Sequence, residues 1–145
     1  MPKIIVISAC LAILTAAPIV AQDASGDAAK GEKVFGKCRS CHSITDADGE
    51  VIARGGRTGP NLFAISGRTA GSYPDFSYSD EMVAAGEKGL AWSEEDFLTY
   101  VSDPSGFLKT YLDDPKARGK MTFKLRKDDE AADVWAYLVS VAPGS

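Results

Sequence analysis

Cys38-Arg39-Ser40-Cys41-His42 is the stretch from which the rest of the chain can be read. Two thiols separated by two residues sit about one helical turn apart, and an imidazole follows the second directly. A disulfide across so short a loop would constrain the unfolded chain little, so the pair makes a poor structural staple. A thioredoxin-like redox pair asks for a βαβ context and an activating helix N-terminus, and the flanking sequence offers neither. A structural zinc site asks for four ligands, usually Cys or His. Beyond the first 21 residues the chain holds two cysteines and one histidine, so zinc would need help from carboxylates. The chemistry that uses all three side chains is covalent haem attachment. There the thiols add across the two vinyl groups and the histidine comes up beneath the iron as its proximal ligand.

Working outward, the sequence supplies few helices and much loop. Asp27 can cap a helix from Ala28 to about Lys37, with Val34 and Phe35 as its apolar face and Gly31 marking a close packing contact. From Thr45 to Tyr78 the turn signals recur too often for a long element: Asp48-Gly49, Gly55-Gly56, Thr58-Gly59-Pro60-Asn61, Gly67 and Gly71. So long a structureless stretch counts against a compact domain unless the loops wrap a large apolar cofactor that replaces the missing core. Asp80 to Ala85 predicts a short helix ended by Gly86 or Gly89. Ser93-Glu94-Glu95-Asp96 then starts another, carrying Phe97, Leu98, Tyr100 and Val101. Asp103-Pro104 stops it, and one short helix is expected near Phe107 to Leu112. The last helix begins near Asp128, with acidic residues in its first turn and Ala131, Val134, Trp135, Leu138 and Val141 as its apolar stripe. No strand-period run of useful length and no internal repeat is present. The expectation is an all-α fold of four to five helices, with long loops around one covalently bound haem.

The N-terminal end reads as a leader. Lys3 precedes an apolar run from Ile4 to Ala17, and Ile19-Val20-Ala21 offers a signal-peptidase site. Residues 1–21 are therefore expected to be a cleaved secretory signal and 22–145 the domain. Cys10 follows too few apolar residues to be a lipoprotein cysteine, and cleavage removes it. An extracytoplasmic destination agrees with covalent haem attachment. The chain carries 16 Lys and Arg against 20 Asp and Glu, and losing Lys3 with the leader makes it more acidic still. Such a balance argues against binding nucleic acid or bulk membrane.

No second histidine exists, so a bis-histidine iron is excluded within one chain. Methionine, lysine or an open sixth position remain. Of the two internal methionines, Met82 falls in the short helix and Met121 in a loop between Gly119 and Phe123. Spacing leans to Met121, although core packing is the ordinary fate of either.

A longer set of residues runs in one order: Gly31 with Phe35, C-R-S-C-H at 38–42, T-G-P-N-L at 58–62, G-R-T at 67–69 and Phe76-Ser77-Tyr78-Ser79. It continues with Gly89-Leu90-Ala91-Trp92, Tyr100 before Asp103-Pro104, G-K-M-T-F at 119–123 and Trp135-Ala136-Tyr137-Leu138. In that set the chain resembles the class I c-type cytochromes, and within them the larger bacterial cytochrome c2 and c550 type, from Gly26 to Leu138. The resemblance implies that Met121 is the sixth ligand and that the Pro60 carbonyl accepts a hydrogen bond from the His42 ring. It places Arg68, Tyr78 and Trp92 near the haem propionates and Tyr100 near the methionine sulfur. Gly31, Phe35, Trp135 and Tyr137 would form the crossing of the first and last helices. Two departures stand out: a longer loop between Pro104 and Met121 than in mitochondrial relatives, and Gly119 where those relatives often carry threonine.

The function so implied is a soluble periplasmic single-electron carrier with one haem c, not an enzyme. Its donor would be a cytochrome bc1-type quinol oxidoreductase, and its acceptor a photosynthetic reaction centre, a terminal oxidase or a periplasmic reductase. Lysines near the haem edge (Lys37, Lys120 and Lys124) would steer a monomeric protein onto acidic partners. A rival gas-binding or enzymatic haem protein would have an open sixth site, and a thiol–disulfide oxidoreductase would hold no haem.

Overall fold

The computed structural model describes residues 24–142; the expected leader, residues 1–21 with Cys10, lies outside the described residues. The described residues form α1 (Ala28–Phe35), β1 (Ile44–Thr45), β2 (Val51–Ala53), α2 (Asp80–Glu87), α3 (Glu94–Ser102), α4 (Pro104–Leu112) and α5 (Asp128–Ser140). None of these helices is long and apolar enough to cross a membrane.

The frame is the crossing of α1 and α5. Asp27 caps α1 by accepting from the main-chain N–H groups of Ala29 and Lys30, at 2.9 and 3.1 Å. Its own N–H donates to Asp133 Oδ1 of α5 at 2.7 Å, so the cap and the crossing are tied together. Gly31 sits where a side chain would collide with the Asp133 carbonyl, and only glycine lets the two backbones approach this closely. Phe35 and Tyr137 meet across the same seam at 5.7 Å between ring centroids. Trp135 packs on Phe97 of α3, at 5.2 Å, and so ties α5 to α3.

The middle helices begin where side chains satisfy their first N–H groups. Ser79 caps α2 and Ser93 caps α3. Asp103 ends α3 and also starts α4, with Pro104 in the first turn of the new helix, where its missing N–H costs nothing. That is why α4 spans Pro104–Leu112 rather than the shorter piece expected near Phe107. Among the described residues the departures from an all-helical reading are a two-stranded antiparallel hairpin, with Ile44 opposite Ala53 and Thr45 opposite Val51, and a single bridge between Thr69 and Ala91. Strands of two and three residues are too short to show an alternating pattern. The turn between them is closed by Asp46, whose carboxylate accepts from the N–H groups of Asp48 and Glu50. Phe35, Ile44, Leu90, Leu108, Val134 and Leu138 are almost fully buried, and together they form the core behind the site.

Candidate haem site

The motif follows α1 without a break in hydrogen bonding. Cys38 N–H donates to Phe35 O at 2.8 Å, and the N–H groups of Cys41 and His42 both donate to Cys38 O, at 3.1 and 2.9 Å. This single helical turn places both thiols and the imidazole on the lining of one cavity. No disulfide joins the cysteines, and Cys38 is half-buried while Cys41 is exposed. Burial pushes the Cys38 thiol up to about 11, with the nearby Cys41 adding to the rise. Cys41 is shifted the other way by hydrogen bonds from Thr58 and Ser40.

The loop after the hairpin supports the imidazole. Gly59 N–H donates to Cys41 O at 2.9 Å, hooking the loop onto the motif. A side chain at Gly59 would run into the His42 ring, so the loop backbone lies directly against it. One residue on, the Pro60 carbonyl lies 2.8 Å from His42 Nδ1. That contact makes Nδ1 the protonated nitrogen and leaves Nε2, with its lone pair, to another partner. Burial lowers the His42 pKa, outweighing the upward pull of the Pro60 bond, so the ring is held neutral, as a metal ligand must be.

All nine residues singled out from the sequence line the same cavity: Cys38, Cys41, His42, Pro60, Arg68, Tyr78, Trp92, Tyr100 and Met121. Met82 lines it too, from the buried face of α2, so both internal methionines are within its walls. Trp92 packs edge-on against Tyr100 at 5.1 Å, and Tyr78 against Phe76 at 4.8 Å. Burial raises the pKa of both Tyr78 and Tyr100, which keeps their hydroxyls protonated as donors. The Arg68 guanidinium donates to the carbonyls of Asn61 and Phe63, at 3.0 and 3.1 Å, and lies 5.1 Å over the Tyr73 ring. Leu62, Ile65, Phe97, Val101 and Val134 complete an apolar wall.

The donor set fits a haem of the covalently attached kind: two thiols, an imidazole whose Nδ1 is taken by Pro60, thioethers and an apolar cleft whose lining also carries a guanidinium and two phenols. No cluster of three or more His, Cys, Asp or Glu that could hold a bare metal ion occurs among the described residues.

The three lysines expected to dock partners are placed unequally. Lys37 and Lys120 line the cavity and Lys124 does not. Lys37 pairs with Glu130 at 2.5 Å and Lys124 with Asp103 at 2.7 Å, while Lys120 Nζ donates to the Ser77 carbonyl at 2.6 Å. The residues to which sequence reasoning gave no contact role are the three lysine partners, Ser77, Asp103 and Glu130, and Asn61, whose carbonyl holds Arg68. Asn61 lay within T-G-P-N-L beside Pro60, a position that could have drawn attention to it. The other three carry no local signal, because their partners lie 21 to 93 residues away.

No family model matches the chain. Known proteins do. Cytochrome c2 of Rhodobacter capsulatus is 55% identical over 135 residues, covering 93% of this chain and 97% of its own. Cytochrome c-550 of Paracoccus denitrificans is 45% identical over 143 residues, covering 97% and 90%. The crystal structure of cytochrome c2 from Rhodobacter sphaeroides superposes with a TM-score of 0.79 at 53% identity, over 81% of this chain and 98% of its own. Likeness at this level, over nearly the full length of each relative, is likeness of the whole domain and not of a motif. The chain belongs to the cytochrome c2 and c-550 family of class I c-type cytochromes.

Proposed function

We propose that Cys38 and Cys41 carry the haem in thioether linkage, that His42 and Met121 are its axial ligands, and that residues 22–145 form the mature protein after loss of a leader ending at Ala21. As a member of its family the chain is a periplasmic single-electron carrier with one covalently bound haem c, and it is not an enzyme. When bound, haem c supplies a one-electron ferrous–ferric couple, whose potential a thioether ligand raises.

The observation that carries the ligand reading is the Pro60 carbonyl at 2.8 Å from His42 Nδ1, with Met121 lining the same cavity. The carbonyl fixes the tautomer and the ring orientation, as partners of metal-bound histidines do. Met121 comes from a loop pinned on both sides, at Lys120 to Ser77 and at Lys124 to Asp103. Held by both His42 and Met121, the iron would have no open position for a substrate. The apolar wall excludes water and so disfavours the more highly charged oxidation state. Arg68 places a fixed positive charge in the cavity lining, already oriented by two carbonyls.

Proteins of this family take electrons from bc1-type complexes and deliver them to reaction centres or oxidases. We assign the docking face to the cavity mouth, whose lining includes Lys37, Lys120 and the 41%-exposed Phe123. Among the described residues Lys120 has no carboxylate partner, whereas Glu130 and Asp103 offset the charges of Lys37 and Lys124. Lys120 should therefore carry most of the steering, and Lys120→Gln should flatten the fall of electron-transfer rate with ionic strength. Equal effects from all three lysines would contradict that assignment.

The test of the function is an absorption spectrum of periplasmic protein, oxidised and reduced, with and without carbon monoxide. A sharp reduced α-band that carbon monoxide leaves unchanged is expected. Ready carbon monoxide binding would mean an open sixth site and would replace the ligand reading with a sensor or enzyme.

A further inference from the structure

The Asn61 side chain makes all four hydrogen bonds that a primary amide can make to protein here. Its Oδ1 accepts from the N–H groups of Thr45 and Phe63, both at 3.0 Å. Its Nδ2 donates to Thr45 O at 2.6 Å and to Tyr73 Oη at 3.1 Å. Its main-chain carbonyl accepts from Arg68 Nη2 at 3.0 Å. One residue thus gathers the hairpin, the chain at Phe63, Tyr73 and the cavity arginine.

The consequence lies one peptide upstream. The Pro60 carbonyl belongs to the peptide plane that joins Pro60 to Asn61. The proline ring fixes its own φ. What remains free in that plane is Pro60 ψ and Asn61 φ, and the Asn61 Cα is immobilised by the five bonds above. We propose that Asn61 is a positioning residue that locks the Pro60 carbonyl onto His42 Nδ1 and holds Arg68 against the cavity wall. The proposal rests on the reading of His42 as an iron ligand. It gives Asn61 a part in electron transfer without contact with the iron or its ligands. The strength of the bond at Nδ1 sets how basic Nε2 is as a donor, and partners of this kind are worth about tenfold or more in affinity or activity at metal sites.

The test is the exchange rate of the His42 Nδ1 proton, followed by NMR in the ferric holoprotein. It compares the native chain with Asn61→Ala, Asn61→Asp and Ser93→Ala, the last removing the cap of α3 as a control for general loosening. Asn61→Ala is expected to raise the exchange rate at least about tenfold beyond Ser93→Ala, since a released carbonyl opens the site to water. Asn61→Asp keeps the acceptor for Thr45 and Phe63 but loses both donors, and should fall between Asn61→Ala and the native chain. It decides the matter alone if the alanine variant does not fold. Exchange in the Asn61 variants no faster than in Ser93→Ala overturns the proposal. A His42 ring without paramagnetic shifts in the native ferric protein would instead overturn the ligand reading beneath it.

Discussion

On the His42 wall of the cavity main-chain bonds and one fully bonded amide, Asn61, do the holding, whereas on the Met121 wall the holding is done by the side chains of two lysines and a serine. Cys38 to His42 form one turn of backbone hydrogen bonds, and Gly59 N–H and Leu62 N–H bond back to Cys41 O and Ser43 O. Between Gly119 and Leu125 the described main-chain bonds reduce to one, from Leu125 N–H to Val101 O at 2.8 Å. The rest is Ser105 Oγ on Gly119 N–H, Lys120 on Ser77 and Lys124 on Asp103. Hydrogen bonds between main-chain groups survive most substitutions, because no side chain is part of them. Long-range contacts through exposed lysines are individually weak and sensitive to salt. The histidine wall should therefore be the rigid one and the methionine wall the first to open.

The largest effect that would break this contrast comes from Gly59. In Gly59→Val the new methyls meet the His42 ring, and nothing in a rigid wall can move to admit them. The expected outcome is failure to accumulate folded holoprotein, or a loss of more than about 4 kcal/mol in urea unfolding. Tolerance of the substitution to within about 1 kcal/mol would mean that this wall gives way after all.

A smaller effect sharpens the picture of the other wall. The hydrogen bond from Lys124, followed by that from Gly106 N–H, holds the Asp103 carboxyl below its usual value of 3.8. A depressed carboxyl contributes stability that is complete above the unfolded value and lost as pH falls through the folded one. Asp103→Asn should accordingly be less stable than the native protein at neutral pH, with the gap narrowing as pH drops below 3.8. Denaturant midpoints measured across that range supply the check. A gap that stays constant with pH would show that neither Lys124 nor the Gly106 N–H draws on the charge of Asp103.

The same contrast explains what could be read from the sequence. The C-R-S-C-H turn, the Asp27 and Ser93 caps, the acidic start of α5 and the Gly31 crossing all depend on residues close together or on a steric rule, and they were legible. The hairpin was not, because five strand residues carry no period. Nor was the start of α4: Asp103-Pro104 reads equally as a stop for one helix and a start for the next, and only the packing of Phe107 and Leu108 selects both. The pairings of Lys37, Lys120 and Lys124 stayed hidden for the same reason, since charge in a sequence does not say which partner folding will bring near. Met121 was set ahead of Met82 by a lean in spacing and then by resemblance, and the cavity, which both of them line, leaves the choice to experiment.

That choice is the most direct test of the central claim that His42 and Met121 ligate the iron. The weak red band that methionine–iron bonding gives a ferric cytochrome c should be recorded for the native protein, Met121→Ala and Met82→Ala. The account predicts loss of the band in Met121→Ala and its retention in Met82→Ala, where a truncated buried side chain costs about 2–5 kcal/mol of stability but leaves the ligand in place. A band that survives in Met121→Ala, or disappears in Met82→Ala, would contradict it.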